Sequence, residues 1–259
     1  MAPSTSYLWR LASEAIALLF RAAPGYEARL TQQASLILSG EPVADLNCAV
    51  IDVGPQAEER LREFGQVIRT RNLPIIVFLP DRISDQLALI ARDLNLQHAG
   101  YVPLMTYHPQ NTHPESGNYR VERIDTEPDL KEANGLVASA FGLPPESVNR
   151  AFGPPLLDGP GVAVFLARQN GHAISAVQTT RAGSIVGIWA MATAPEHQRK
   201  GAGRALLEHA IAYHCERGAN LFYLIATDAG KPLYERIGFR TVSEAAVWVA
   251  GHSTQVSAH

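Results

Sequence analysis

The chain has 259 residues, of which 18% are charged, and a formal net charge of −3 at pH 7. A charge so close to neutral gives no electrostatic reason to expect binding to nucleic acid or to an anionic membrane, since both attract clustered positive charge. Cys48 and Cys215 are too few and too far apart for a disulfide framework or a zinc site of closely spaced cysteines. No apolar run is long enough to span a membrane and no signal peptide is recognisable, so the sequence predicts a soluble cytoplasmic protein with room for two compact units.

The front half alternates between helical and strand-like patterns. Its predicted elements are a helix at 7–22, a strand at 46–53, a helix at 55–71, a strand at 73–79, a helix at 85–94 and a strand at 100–107. In the helix at 85–94, Leu87, Ile90 and Leu94 recur at helical spacing, and Ser84 is the predicted N-cap. The polar stretch that follows, at 108–118, predicts a linker. We therefore expect an N-terminal α/β lobe at 1–110, a second domain at 118–251 and a flexible tail at 252–259.

The back half begins with a strand and two helices and continues with strands. The predicted elements are a strand at 119–124, helices at 127–141 and 144–152, strands at 162–168, 172–180 and 185–193, a helix at 206–217 and a strand at 221–226. Asn170-Gly171 separates two of these strands, and this dipeptide is a strong hairpin signal. The sequence thus predicts antiparallel pairing in the middle of this domain.

A glycine-containing turn links the strand at 185–193 to the helix after it. We call residues 198–204, with sequence QRKGAGR, the cradle. A helix N terminus has unpaired backbone N–H groups and partial positive charge, so it can hold a phosphate. Gly201 and Gly203 would let a pyrophosphate approach the backbone, with Arg199 and Lys200 adding charge. A Walker loop does not fit this sequence and a dinucleotide fingerprint fits only in part, whereas an ordinary tight turn stays open as the alternative.

A second motif accompanies the cradle. Residues 233–239 read LYERIGF and follow the strand at 221–226. Together with Gln198, Gly201 and Gly203, this element resembles the GNAT superfamily of acetyl-CoA-dependent N-acetyltransferases, from about residue 118 onward. The resemblance implies the GNAT acyl-CoA N-acyltransferase fold, in which helices flank a mixed and mostly antiparallel sheet. With the front lobe, the predicted class is α/β.

The resemblance also implies which residues form the site. It assigns contacts with acetyl-CoA to Met191, Ala192, Thr193, Gln198, Arg199, Lys200, Gly201, Ala202, Gly203, Arg204 and Thr227, and the role of general acid to Tyr234. Thr227 departs from the family pattern, because Asn is common at this place and a hydroxyl lacks the paired donor and acceptor of an amide. Tyr234 as a core aromatic, and Lys200 and Arg204 as solvated charges, are the alternatives.

The sequence names no general base. The strand at 185–191 contains no carboxylate, so Asp228, Glu196, His197 and a water held by backbone groups stay open as candidates. His209 and His214 lack nearby ligands in a metal-binding spacing, and no metal site is predicted. Trp189 either lines the acceptor pocket or packs in the core.

The predicted function is transfer of an acetyl group from acetyl-CoA to a primary amine of a small or amino-acid-like acceptor. A non-catalytic acyl-CoA-binding regulatory or scaffold protein is the alternative. Neither nucleic acid nor membrane is an expected partner, and a homodimer is one arrangement that the sequence leaves open.

The front half repeats the strand and helix order of the back half, but its turn differs. In place of the cradle it has Val53-Gly54-Pro55-Gln56, where the single glycine and the proline offer fewer backbone donors. This favours a degenerate GNAT-like lobe that binds no cofactor, while an unrelated α/β lobe is an equal alternative because this alternation is common.

Overall fold

A computed structural model describes residues 3–81, 83–109 and 119–250. The predicted tail at 252–259 and most of the predicted linker, at 110–118, lie outside the described residues. The helices are α1 (Thr5–Phe20), α2 (Ala57–Arg71), α3 (Asp85–Asp93), α4 (Glu127–Phe141), α5 (Pro145–Ala151), α6 (Ala202–Cys215) and α7 (Lys231–Ile237). The strands are β1 (Glu27–Leu30), β2 (Ala34–Leu38), β3 (Asn47–Ile51), β4 (Ile75–Pro80), β5 (Gln97–Tyr107), β6 (Arg120–Ile124), β7 (Val162–Gln169), β8 (His172–Ala182), β9 (Ile185–Thr193), β10 (Leu221–Ile225) and β11 (Arg240–Ala250). In the described part of the chain, no helix has the length and apolar character needed to cross a bilayer.

Most predicted elements are confirmed, some of them in detail. Ser84 is the N-cap of α3, where its hydroxyl oxygen accepts a hydrogen bond from the backbone N–H of Leu87 at 3.1 Å. The β1–β2 hairpin was not predicted, because β2 is an unbroken buried run without alternation and β1 is short and partly exposed. The predicted start of α6 at Leu206 is wrong. The helix begins at Ala202, directly after Gly201 in a left-handed conformation.

Within the described ranges, the first compact unit comprises residues 3–81, 83–105, 225–232 and 241–250. Its strands follow the order β1-β2-β3-β4-β11-β5, in which β3 and β4 run parallel and β11 is antiparallel to β4. Leu61 of α2 and Val77 of β4 form its core with Trp248 of β11, which is 2% exposed. The C-terminal strand of the chain is therefore an interior strand of the N-terminal unit.

The second compact unit comprises residues 106–224 and 233–240. Its strands follow the order β10-β9-β8-β7-β6, with antiparallel pairing from β6 to β9 and parallel pairing between β9 and β10. The predicted hairpin between β7 and β8 is confirmed, with Asn170 at φ 52° and Gly171 at φ 83°. This mixed and mostly antiparallel sheet confirms the predicted fold class. The sequence domains 1–110 and 118–251 stay a prediction, because the compact units are not contiguous along the chain.

Two helices cover the sheet of the second unit. Both α4 and α6 pack across β7, β8 and β9. Because they cover the same three strands without extensive contact with each other, we infer that they lie on opposite faces of the sheet. Phe165 of β7 and Thr179 of β8 point toward α6, where Phe165 makes edge-to-face contact with Tyr213 at 5.1 Å between ring centroids. Side chains that alternate with these on β8 therefore point toward α4.

The position of β11 generates a test of folding. We expect a fragment of residues 1–110 not to fold cooperatively, because it lacks the strand between β4 and β5 and loses the buried Trp248 from its core. Thermal unfolding and the dispersion of amide NMR signals check this.

The control fragment is 1–110 joined by a short Gly/Ser linker to residues 239–250. Tyr107 lies against Gly238, with a Cβ built on Gly238 3.0 Å from the Tyr107 ring, so a short linker can bridge this gap. A cooperative transition in the unlinked fragment would contradict the expectation.

Candidate active site

The end of β9 is irregular at the place where the sequence predicts contacts with the thioester. Ala176 of β8 is opposite Ala192, and Gln178 is opposite Trp189, so β9 has one more residue than β8 between these pairs. This is a β-bulge, and Ala190 within it has φ 45°. A bulge disrupts the ladder and leaves its extra residue unpaired, which frees backbone polar groups beside Met191. Pairing with β10 involves only Ile185–Gly187 of the described strand, so this end of β9 is not covered from that side.

The cradle lies directly after this strand and begins α6. Arg199 has φ 57° and Gly201 has φ 94°, so two left-handed residues flank Lys200. Successive N–H groups in such alternating conformations point toward a common concavity that attracts anions. Among the described residues, no side chain caps the N terminus of α6 at Gly201. The backbone N–H groups of Ala202 and Gly203 are thus available to an anion.

The two glycines of the cradle serve different physical purposes. Gly201 needs its left-handed conformation, and its surroundings are open, with the Tyr119 ring at 3.9 Å the nearest contact of a built Cβ. Gly203 needs its small size, because a Cβ there would be 3.1 Å from Thr193 Oγ1 and 3.3 Å from Met191 Cε. Gly203 therefore permits close packing of α6 on the end of β9, a role that the sequence did not reveal.

Two side chains hold the cradle in place. The Gln198 Nε2 group donates a hydrogen bond to the Thr193 carbonyl at 3.2 Å and so ties the turn to the end of β9. The Tyr119 hydroxyl donates to the Lys200 carbonyl at 2.6 Å. Sequence reasoning missed Tyr119, because it precedes the cradle by 81 positions and only the fold brings the two together.

The basic side chains of the cradle lie at its rim. Arg199 and Lys200 are exposed. The Arg204 guanidinium forms an ion pair with Glu208 one turn along the helix, with Nε to Oε1 at 2.8 Å. Because Arg204 is held in this pair, the backbone N–H groups of the cradle are the principal candidates for anion binding.

Tyr234 is buried in α7 near this site. It is 9% exposed and its ring contacts Phe239 at 5.9 Å between centroids. Its neighbour Leu233 approaches Gly203, with Leu233 Cδ2 3.6 Å from a Cβ built on Gly203. Burial raises the pKa of Tyr234 to about 12. The phenol therefore keeps its proton at neutral pH, as a general acid must.

The remaining predicted residues lie outside this group. Thr227 is exposed, and its hydroxyl oxygen accepts a hydrogen bond from the backbone N–H of Gly230 at 3.2 Å, so it stabilises the turn before α7. The base candidates Glu196 and Asp228 are exposed and His197 is half-buried. The structure brings none of these three carboxylate or imidazole groups into a described contact with Tyr234.

The corresponding turn of the front half has the opposite electrostatic character. The first turn of α2 contains Glu58 and Glu59, whereas the first turn of α6 contains no acidic residue. Burial and the nearby charge of Asp81 raise the pKa of Asp52, which immediately follows β3. Acidic side chains at a helix N terminus offset the partial positive charge that would attract a phosphate. This favours anion binding by the back half alone.

Comparison with known proteins identifies the back half. Residues 160–241 match the family model of the acetyltransferase (GNAT) domain, and this segment contains the bulge, the cradle and Tyr234. This segment is similar to a GNAT domain. No curated protein matches the sequence closely enough to be informative. Proteins with this domain are acetyltransferases that generally use acetyl-CoA as their cosubstrate.

Solved GNAT structures extend the similarity to both lobes. A GCN5-related N-acetyltransferase from Kribbella flavida is 17% identical with a TM-score of 0.71, over 97% of this chain and 98% of that one. A tandem GNAT protein from the clavulanic acid biosynthesis pathway is 14% identical with a TM-score of 0.60, over 96% of this chain and 95% of that one. At these identities the matches establish fold and not activity. Because they cover nearly the whole chain, they favour a GNAT-like front lobe over an unrelated α/β lobe.

Helix α6, which begins in the cradle, is anchored to the sheet by a buried histidine. His214 is 3% exposed, and its Nε2 lies 2.8 Å from the Thr179 hydroxyl. Burial, with the charges of Arg181 and Arg217, lowers the pKa of His214 to about 4. These contacts give His214 a structural role.

This lowered pKa generates a prediction about acid stability. The unfolded chain binds a proton at His214 below about pH 6.5, whereas the folded chain does not until about pH 4. The contribution of His214 to the free energy of unfolding is therefore fully present above about pH 6.5. It falls by roughly 3 kcal/mol as the pH drops to 4. Urea unfolding of wild type and His214→Gln measures this: the variant should have the smaller loss between pH 7 and pH 4. His172→Gln, at an exposed position, is the control and should keep the wild-type loss. Equal losses in wild type and His214→Gln would contradict the assignment.

Proposed function

We propose that the protein transfers the acetyl group of acetyl-CoA to a primary amine of a small or amino-acid-like acceptor. The observation that carries this proposal is the close grouping of an uncapped α6 N terminus, the β9 bulge and the α7 segment with Tyr234, joined through Gly203. An anion site, free backbone groups and a protonated acid are the parts that such a transfer requires.

The residues present fit acetyl-CoA. The concavity at Arg199–Gly201 and the N–H groups of Ala202 and Gly203 suit a pyrophosphate, with Lys200 adding positive charge at the rim. When bound, acetyl-CoA supplies a thioester carbon that is open to attack by an amine. The bulge beside Met191 would orient this group through backbone hydrogen bonds.

The chemistry of the chain then follows from its own groups. A neutral amine forms the new C–N bond, the C–S bond breaks, and the amine loses one proton to solvent. Tyr234 holds the proton that the departing sulfur takes up, and solvent restores it. Burial raises the pKa of Tyr234, and it would raise the pKa of a thiol in the same apolar surroundings for the same reason. The high pKa of Tyr234 therefore does not oppose proton transfer from the phenol to the thiolate.

A non-catalytic acyl-CoA-binding protein is the second candidate. The described β9 has no carboxylate, and among the base candidates Glu196 and Asp228 are exposed while His197 is half-buried. These observations suit a protein that binds the cosubstrate and does not turn it over. The enzyme and the binding protein share the cradle and differ in what Tyr234 does.

The cytoplasmic location predicted from the sequence is also retained as a proposal. Cys48 and Cys215 do not form a disulfide, and burial raises the pKa of the Cys48 thiol to about 12, which keeps it unreactive. These features suit a reducing compartment.

The cradle generates a binding prediction. Gly203→Glu should weaken acetyl-CoA binding at least about 100-fold, because the new side chain meets Thr193 and Met191 and brings negative charge to the anion site. Calorimetric titration with acetyl-CoA and with CoA measures this, and Gly201→Glu should behave alike.

Gly135→Glu is the matched control. It adds the same charge to another helix of this unit, at a glycine whose Cβ would meet nothing within 4 Å, and should keep wild-type affinity. If folded wild type binds neither ligand, the acetyltransferase proposal fails and the cradle is a structural turn.

Tyr234 generates the catalytic prediction. Tyr234→Phe should lower kcat roughly 100-fold while the affinity for acetyl-CoA is unchanged, because only the acidic proton is removed. Thiol release in the presence of a panel of primary amines measures kcat. Tyr213→Phe, on the far part of α6, is the control and should retain activity. Unchanged turnover in Tyr234→Phe would exclude Tyr234 as the acid.

A further inference from the structure

Gln178 of β8 is an unusual buried side chain. It is 2% exposed, and neither its Oε1 nor its Nε2 has a hydrogen-bond partner among the described residues. A buried polar group without partners typically costs about 1–3 kcal/mol, and native proteins rarely retain one without a functional reason. An apolar residue at this position would remove that cost.

The face on which Gln178 lies is fixed by its neighbour in the strand. Thr179 points toward α6, where its hydroxyl meets His214 Nε2 and donates to the Ala163 carbonyl at 3.1 Å. Because side chains alternate along a strand, Gln178 points to the other face, which α4 covers. The orphan carboxamide is therefore separated by the sheet from α6.

Gln178 is also next to the bulge. It is directly opposite Trp189, the residue that precedes Ala190, and such cross-strand neighbours have Cα atoms about 5 Å apart. Trp189 is half-buried, so it is the part of this pair that reaches solvent. Its indole lies over Gly187, with Nε1 2.6 Å from a Cβ built there, and donates to the Thr180 hydroxyl at 2.7 Å. The ring thus has its own partner and leaves both polar atoms of Gln178 unused.

The surroundings of Gln178 favour a neutral ligand. The buried polar residues of this unit within the described ranges are all uncharged, namely Asn134, Ser147, Ser175, Gln178, Thr179, Thr180 and His214, the last with its pKa lowered to about 4. A carboxylate bound here would lack a buried cation. A carboxamide has one oxygen acceptor and an NH₂ donor, so its complement is another group with an adjacent donor and acceptor.

We propose that Gln178 recognises, by hydrogen bonds, an amide group on the acceptor next to the amine that is acetylated. The protein would then select α-amino amides over simple alkyl amines. This rests on the proposed acetyltransferase function. The acceptor takes up the hydrogen bonds that the Gln178 carboxamide does not make within the described residues. Gln178 is thus a specificity-determining residue on the α4 face of the bulge.

The test compares wild type with Gln178→Met, which has nearly the same shape without polar atoms. Glycinamide and propylamine are the probes, because both are small primary amines and only glycinamide has the amide. Three quantities are measured for each protein: the midpoint of thermal unfolding, the affinity for acetyl-CoA and the ratio of kcat/KM for glycinamide to that for propylamine. Taking this ratio in both proteins cancels the different basicities of the two amines.

We expect Gln178→Met to unfold roughly 2–4 °C above wild type, because an unpartnered polar group is removed. The glycinamide to propylamine ratio should fall about tenfold, with acetyl-CoA affinity unchanged. Thr179→Val is the matched control: it removes a bonded hydroxyl on the other face, so it should unfold below wild type and keep the wild-type ratio.

Several results would overturn the inference. A lower unfolding midpoint for Gln178→Met would mean that the carboxamide is satisfied and structural. An unchanged ratio, or a wild type that acetylates neither probe while it binds acetyl-CoA, would contradict recognition of the amide by Gln178. Either result would leave the proposed function standing. A wild type that does not bind acetyl-CoA would instead overturn the proposed function itself.

Discussion

The first turn of α6 lies directly on the end of β9, and the candidate site depends on this contact. Gly203 makes it possible, since a single methyl group there would meet the side chains of both Thr193 and Met191. The contact fixes the anion-binding N–H groups at a set distance from the bulge that follows Trp189. A ligand with a phosphate at one end and a thioester at the other needs such fixed spacing, because misplacement by about 1 Å can cost a large factor in rate.

The side chains of strand β8 have different hydrogen bonding on the two faces of the sheet. Toward α6, the Thr179 hydroxyl and His214 Nε2 form a hydrogen bond, and burial lowers the pKa of His214. Toward α4, the Gln178 carboxamide has no hydrogen-bond partner within the described part of the chain, and the half-buried Trp189 lies opposite it. Adjacent residues of one strand thus serve stability on one side and, in our proposal, recognition on the other. Proteins commonly accept such local instability where a ligand supplies the missing contacts.

The two lobes have related folds but different chemistry at the turn that precedes their first crossover helix. In the back half this turn is the cradle, with left-handed Arg199 and Gly201 and no acidic residue in the first turn of α6. In the front half Glu58 and Glu59 lie in the first turn of α2. Their carboxylates offset the partial positive charge at the N terminus of this helix. Our proposal therefore assigns an anion site to the back half alone, since function depends on the residues of a site and not on the fold that carries it.

The sequence by itself determined the order of helices and strands, the cap of α3 by Ser84, the hairpin at Asn170-Gly171 and the position of the cradle, because each depends on local backbone preferences and on the periodicity of apolar residues. Only the tertiary structure decided the rest. Tyr119 meets the cradle, Gln178 meets the bulge and β11 joins the first unit through contacts between residues far apart in the chain. No local pattern encodes such contacts, because they exist only once strands have paired in a particular order and register and helices have packed on them.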